Sequence, residues 1–223
     1  MHQKIIPISE NETGESLRLK VSIVAREEIQ NLILYCLSKT DFFKHAAFYG
    51  GTCLRICHNL NRFSEDLDFC LIKKELGFDL KKYGLSIIKI LQSFGLRAEL
   101  SSKAKMVETS VLSMFINFDL KELIKTFYPT TNKVNVTHGE RLSIMVEVET
   151  NPTIDAIIEP MYFILPYGFA INKFDLSTLF AAKIECVLAR NRKLRGMKGR
   201  DLFDYAFYLG LNIGFNMKYL FAR

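Results

Sequence analysis

The chain has 223 residues, of which 49% are hydrophobic and 24% charged, and a formal net charge of +6; that is enough apolar content for one sizeable core, alone or with a small helical lobe. No repeat or low-complexity tract interrupts it, no apolar run follows Met1-His2-Gln3-Lys4, and even the longest uncharged stretches are short, Pro160 to Asn172 being broken by Pro166, so a soluble, cytoplasmic protein is expected rather than a secreted or membrane-spanning one. Five cysteines, Cys36, Cys53, Cys57, Cys70 and Cys186, form no Cys-x-x-Cys pair, which argues against a disulfide framework.

In chain order, Ile29, Leu32, Ile33, Cys36 and Leu37 recur at i, i+3, i+4, i+7 and i+8, predicting an amphipathic helix over Glu27 to Ser38. Ala46-Ala47-Phe48-Tyr49 reads as a short strand, Gly50-Gly51 as a turn and Thr52 onward as a helix. A diglycine at such a junction lets backbone N–H groups close on phosphate oxygens. Arg55, one turn into the helix, could reach the same anion. Cys53, Cys57 and His58 share part of this helix face, but no fourth ligand stands at suitable spacing, so buried thiols are preferred to zinc.

Asp66-Leu67-Asp68-Phe69-Cys70-Leu71-Ile72 reads as a buried strand. Its period of 2 puts Leu67, Phe69 and Leu71 on one face and both aspartates on the other. Paired carboxylates beside a phosphate-binding turn can share divalent cations with a triphosphate, which points to nucleotidyl transfer. Phe78 to Phe94 then reads as a helix covering a sheet face, Arg97 to Leu100 and Val107 to Phe118 as strands, and Thr126 to Glu140 as a loop.

Leu142, Ile144, Val146 and Val148 alternate with Ser143, Met145, Glu147 and Glu149, a half-buried strand that offers either glutamate as a third carboxylate. After Asp175, the apolar stripe Leu176, Leu179, Phe180, Ile184, Val187 and Leu188 contains Lys183, a lysine whose burial calls for a pairing or an anion. In the last helix Leu202, Tyr205, Ala206 and Leu209 read as the apolar stripe with Asp201 and Asp204 at its edge. Asp201 near the helix start also suits the helix dipole. Asp204 could pair with Lys183, Arg190 or Arg200, or position an acceptor. Residues 183 to 223 carry nine Lys or Arg against three Asp or Glu, while the rest of the chain balances. Arg190, Arg192, Lys193, Arg195, Lys198 and Arg200 make a basic stretch suited to the phosphates of an NTP or an RNA.

The strings GGTCLR, RFSEDLDF, MVEVETNP and LFAAKIECVLARNRKLRGMKGRDLFDYAFYL, from about Phe48 to Leu209, together resemble the AbiEii/AbiGii toxin family within the polymerase-β-like nucleotidyltransferases. The resemblance implies an α+β, minimal nucleotidyltransferase fold: a mixed β-sheet flanked by helices over residues 1–172 and a C-terminal helical segment, 173–223, completing the site. It implies transfer of a nucleotide from an NTP with Mg²⁺, two ions being expected, by the toxin of a bacterial toxin–antitoxin or abortive-infection pair, so that an antitoxin is an expected partner. Gly50, Gly51, Thr52 and Arg55 would touch the triphosphate, with Lys183, Arg190 and Arg200. Asp66 and Asp68 would bind metal, and the family pattern favours Glu147 as the third ligand. Asp66, Asp68, Lys183 and Asp204 would form the catalytic set. Gly51 stands where many superfamily members have Ser, and the chain ends soon after the last motif. With the basic stretch, the resemblance favours an RNA acceptor, tRNA above all. The alternatives are a small molecule or protein acceptor, or a non-catalytic nucleotide or RNA binder.

Overall fold

The structure is a computed structural model and describes residues 14–102, 110–127, 139–164, 167–192 and 198–222. In chain order its elements are α1 (Gly14–Ser38), α2 (Phe42–His45), β1 (Ala46–Tyr49), α3 (Gly50–His58), β2 (Leu67–Leu71), α4 (Leu80–Ser93), β3 (Glu99–Ser101), β4 (Val111–Asp119), α5 (Leu120–Phe127), β5 (Arg141–Glu149), β6 (Ile158–Phe163), β7 (Phe169–Phe174), α6 (Leu176–Arg192), α7 (Gly199–Gly210) and α8 (Met217–Phe221). One seven-stranded sheet runs β3-β4-β5-β2-β1-β7-β6. β2 pairs parallel with β5 and β1 parallel with β7, and the remaining neighbours are antiparallel. The sheet is therefore mixed, as expected.

The central strands follow from their side chains. Ala46, Ala47 and Phe48 of β1 and Leu67, Phe69, Cys70 and Leu71 of β2 are all buried, so both faces of the middle of the sheet are covered. Phe69 packs against Phe42 at 4.9 Å and Phe48 at 5.2 Å between ring centroids. In β5 the alternation is kept, with Leu142, Ile144, Val146 and Val148 buried. α1 packs against α4, α5, β5 and β7, while α3 lies on β1 and β2 and meets α6. Among the described residues no helix is long and apolar enough to cross a membrane.

Several elements differ from the sequence reading. α1 starts at Gly14, thirteen residues before Glu27. Its first half is masked by charge in sequence because those charges are used inside the fold: Arg18 meets Glu140 at 2.5 Å and Arg26 donates to the Ser143 carbonyl at 2.6 Å. α5 overlaps the start of the expected Thr126–Glu140 loop, of which 128–138 lies outside the described residues. The Asp119 carboxylate accepts from the Glu122 N–H at 3.0 Å, and Asp-Leu-Lys-Glu is a capping signal open to a sequence reading. The Val107 start of the expected strand also lies outside the described residues, and β4 begins at Val111. β6 and β7 occupy the uncharged 160–172 stretch, where a proline hides the strand; Pro160 sits on the edge strand, where no ladder donor is required.

The largest correction concerns α7. Leu202, Tyr205 and Leu209 are exposed, and the buried face consists of Asp201, Asp204 and Tyr208. The aspartates turn inward to meet the partly buried cations Lys183 and Arg190 on α6 and Arg62 before β2, and an unpaired buried charge costs more than an exposed leucine.

Candidate active site

A cavity of about 450 Å³ opens where β1, β2 and β5 meet α3, α6 and α7. Its lining includes Gly50, Gly51, Asp66, Asp68, Glu147, Glu149, Lys183, Arg190, Arg200 and Asp201. Of the nucleotide and metal ligands expected from sequence, only Thr52 and Arg55 are missing from that wall.

The carboxylates are gathered by strand register. Tyr49 of β1 is level with Asp68 of β2, and Asp68 is level with Glu147 of the parallel strand β5. Asp66 precedes β2 by one residue and lines the same cavity. Burial above all, then the neighbouring Asp66 and Glu147 charges, push the Asp68 carboxyl up to about 7, against the opposing pull of Lys183 and Arg200. The Asp66 carboxyl is also raised, first by burial and then by Glu65. Glu149 lines the cavity too, but its Oε1 accepts from the Asn151 N–H at 3.0 Å and so caps the turn after β5. Glu147 is thus the glutamate alongside Asp68. Among the described residues no three such groups already share one coordination centre; the donor set is nevertheless all carboxylate oxygen, the kind that hard divalent cations take.

The diglycine bend touches this cluster. Gly50 has φ +81°, and a Cβ built there would lie 2.5 Å from Asp68 Oδ2. A side chain at this position would thus be strained in the backbone and would strike the carboxylate. Gly50→Ala is expected to destabilise the fold by about 1–2 kcal/mol through the left-handed backbone alone and to displace Asp68; thermal melting together with nucleotide transfer checks both. A Cβ at Gly51 would lie 2.6 Å from Arg62 Nη2 and 3.1 Å from Ser64 Oγ, so the space left by the missing side chain is filled from the loop before β2.

The opposite wall is a chain of alternating charges. Lys183 Nζ on α6 meets Asp204 Oδ2 at 2.7 Å and Asp201 Oδ1 at 3.4 Å. Arg190 also pairs with Asp201, whose second oxygen accepts from the Lys198 N–H at 3.3 Å and caps α7. Asp201 is held below the usual carboxylate range: its bond to Arg190 and the charges of Lys183 and Arg190 overcome the burial that would raise it. Asp204 is fully buried and does not line the cavity. Arg62 clasps it with two bonds, Nε to Oδ1 at 2.5 Å and Nη2 to Oδ2 at 2.7 Å.

Three residues of the expected site make their contacts outside the cavity. Asp204 lies behind the cavity wall, paired with Lys183 and Arg62. The Arg55 guanidinium points away from the cavity to Glu27 of α1, at 2.6 Å, and to the Leu60 carbonyl, at 3.0 Å. The Thr52 hydroxyl is buried and donates to the Asp66 carbonyl. Arg62 is a cavity-lining residue that sequence reading missed; a lone cation four residues before paired carboxylates was its only local signal, and its partner is 142 positions away. Lys193 and Arg195 of the basic stretch lie outside the described residues, whereas Lys198 and Arg200 are exposed. Cys53 and Cys57 are buried, and burial pushes the Cys53 thiol up and the neighbouring His58 down to about 4.

Comparisons with known proteins bear on the fold and the family. A crystal structure of a candidate nucleotidyltransferase from H. pylori superposes with a TM-score of 0.51 at 19% identity, covering 83% of this chain and 67% of that one. The crystal structure of JHP933 from Helicobacter pylori gives a TM-score of 0.47 at 18% identity, over 88% of this chain and 67% of that one. The first of these shows a shared fold. No curated protein matches the sequence at a significant level. The family model described as nucleotidyl transferase AbiEii toxin, type IV toxin–antitoxin system, matches residues 32–220. With the seven-stranded mixed sheet and its flanking helices, that match covers most of the chain, which therefore belongs to the AbiEii family of nucleotidyltransferase toxins.

Proposed function

We propose that this nucleotidyltransferase moves a nucleotide from an NTP to an RNA acceptor, tRNA being the acceptor we single out, with Mg²⁺ as cofactor, in the cytoplasm and under the control of a cognate antitoxin. The observation that carries the reading is the contact of Asp68 with the Gly50 bend, with Asp66 and Glu147 at its sides and Lys183 on the facing wall. The RNA part rests on the basic excess of residues 183 to 223 and on Arg190 and Arg200 at the cavity.

The residues divide the work. Gly50 and Gly51 open α3 into the cavity, where the first N–H groups of a helix receive phosphate oxygens. Lys183 and Arg62 face the same space as fixed cations, oriented by Asp204. Asp66, Asp68 and Glu147 would hold the divalent ions, which supply charge neutralisation and polarise the attacking and leaving oxygens. The acceptor hydroxyl attacks the α-phosphorus, its proton passes to a carboxylate of the trio, and the bond to the bridging oxygen breaks as pyrophosphate leaves. Catalysis is then chiefly positioning and electrostatics. Incubating the protein with each α-labelled NTP, Mg²⁺ and total tRNA should place label on tRNA. Label on the protein alone, or on an added aminoglycoside, or none at all, would overturn the RNA assignment.

A further inference from the structure

The loop that delivers Asp66 has no ladder of its own. Between α3 and β2, residues 59–66 belong to neither helix nor strand, yet four consecutive carbonyls there are held by side chains. Arg62 Nη1 donates to the Phe63 carbonyl at 2.9 Å, Gln30 Nε2 to those of Ser64 at 3.0 Å and Glu65 at 2.9 Å, and the Thr52 hydroxyl to that of Asp66. Gln30, on α1, and Thr52, on α3, are both completely buried.

Stability alone is a poor account of Gln30. Its Oε1 is buried without a hydrogen-bond partner, and a buried orphan acceptor costs about 1–3 kcal/mol. The opposite amide orientation would aim Oε1 at two carbonyl oxygens, so the side chain is held for its donors. An irregular segment loses about 1–2 kcal/mol of backbone entropy for each residue it orders, and a metal ligand is effective only when it is held within about 0.5 Å of its productive place. Gln30 also precedes the span matched by the family model, residues 32–220, so membership assigns it no role.

We propose that Gln30 and Thr52 are positioning residues: by seizing the Ser64, Glu65 and Asp66 carbonyls from two helices, they fix the backbone that presents the Asp66 carboxylate to a divalent cation beside Asp68. This rests on the metal-dependent reading above. Partners behind a metal ligand commonly change affinity by about 10–100-fold when removed.

The test is Mn²⁺ binding to the full chain without nucleotide, by calorimetry or spin resonance, together with thermal melting and the metal dependence of transfer. Gln30→Met and Thr52→Val should each weaken Mn²⁺ by about 10-fold and raise the metal concentration for half-maximal transfer. Thr52→Ser, which keeps the hydroxyl, should bind as wild type. Should Gln30→Met fail to fold, the contrast between Thr52→Val and Thr52→Ser decides alone. Unchanged Mn²⁺ affinity in folded Gln30→Met or Thr52→Val, with wild type active, overturns this inference and leaves the transferase reading standing. A wild type that neither binds Mn²⁺ nor transfers label overturns both.

Discussion

Asp68→Asn is expected to reduce nucleotide transfer by about 10³-fold or more while the chain remains folded. The side chain is level with Glu147 across β2 and β5 and sits against the Gly50 backbone, so its loss removes the carboxylate on which the other two converge. The variant's stability should move the other way. In the metal-free protein the folded carboxyl titrates at about 7, above its ordinary 3.8, because burial and then Asp66 and Glu147 disfavour the charge. Stability from this group is therefore fully present below about 3.8 and is lost as pH rises toward about 7. Above that point the neutral Asn should melt no lower than wild type when metal is absent, and divalent cation should raise the melting temperature of wild type only. Wild-type transfer by Asp68→Asn would remove the basis for the metal assignment.

Lys183→Met should lower kcat/KM for NTP by about 10²–10³-fold and also destabilise the protein. The lysine is joined to Asp204 at 2.7 Å and Asp201 at 3.4 Å, and each aspartate keeps a second cation, Arg62 or Arg190. Because neither carboxylate is left wholly unpaired, the stability loss should be about 1–3 kcal/mol, below what isolating a buried charge would cost. Urea unfolding beside transfer kinetics separates the two effects. A loss of stability with unchanged kcat/KM would make Lys183 a purely structural cation.

How far these residues were legible in the sequence depends on the range of their contacts. Gly50, Gly51, Asp66 and Asp68 lie within one strand-turn-helix-strand passage, where period and glycine chemistry suffice to place them together. The alternation of β5 offered Glu147 and Glu149 alike and only the family pattern favoured Glu147, whereas Lys183 was conspicuous as a cation in an apolar stripe. The partners that Arg55 and Thr52 take, Glu27 and the Asp66 carbonyl, come from tertiary packing that no local spacing encodes. Arg62 and Asp204 are far apart in the chain, and their pairing is formed only by the tertiary fold. The same long-range pairing inverted α7: hydrophobicity alone put Leu202, Tyr205 and Leu209 inside, whereas the charge demand of Arg62, Lys183 and Arg190 put the aspartates there instead.

The parallel pairing of β2 with β5 joins residues nearly eighty positions apart, and the facing wall arrives later still with α6 and α7. A ribosome that has released only the first 140 residues has delivered the glycine bend and two aspartates, but neither their companion glutamate nor the lysine opposite. Nascent chains of that length therefore lack the complete centre, which can come together only after α6 and α7 have left the ribosome and their distant, slow-forming contacts have closed.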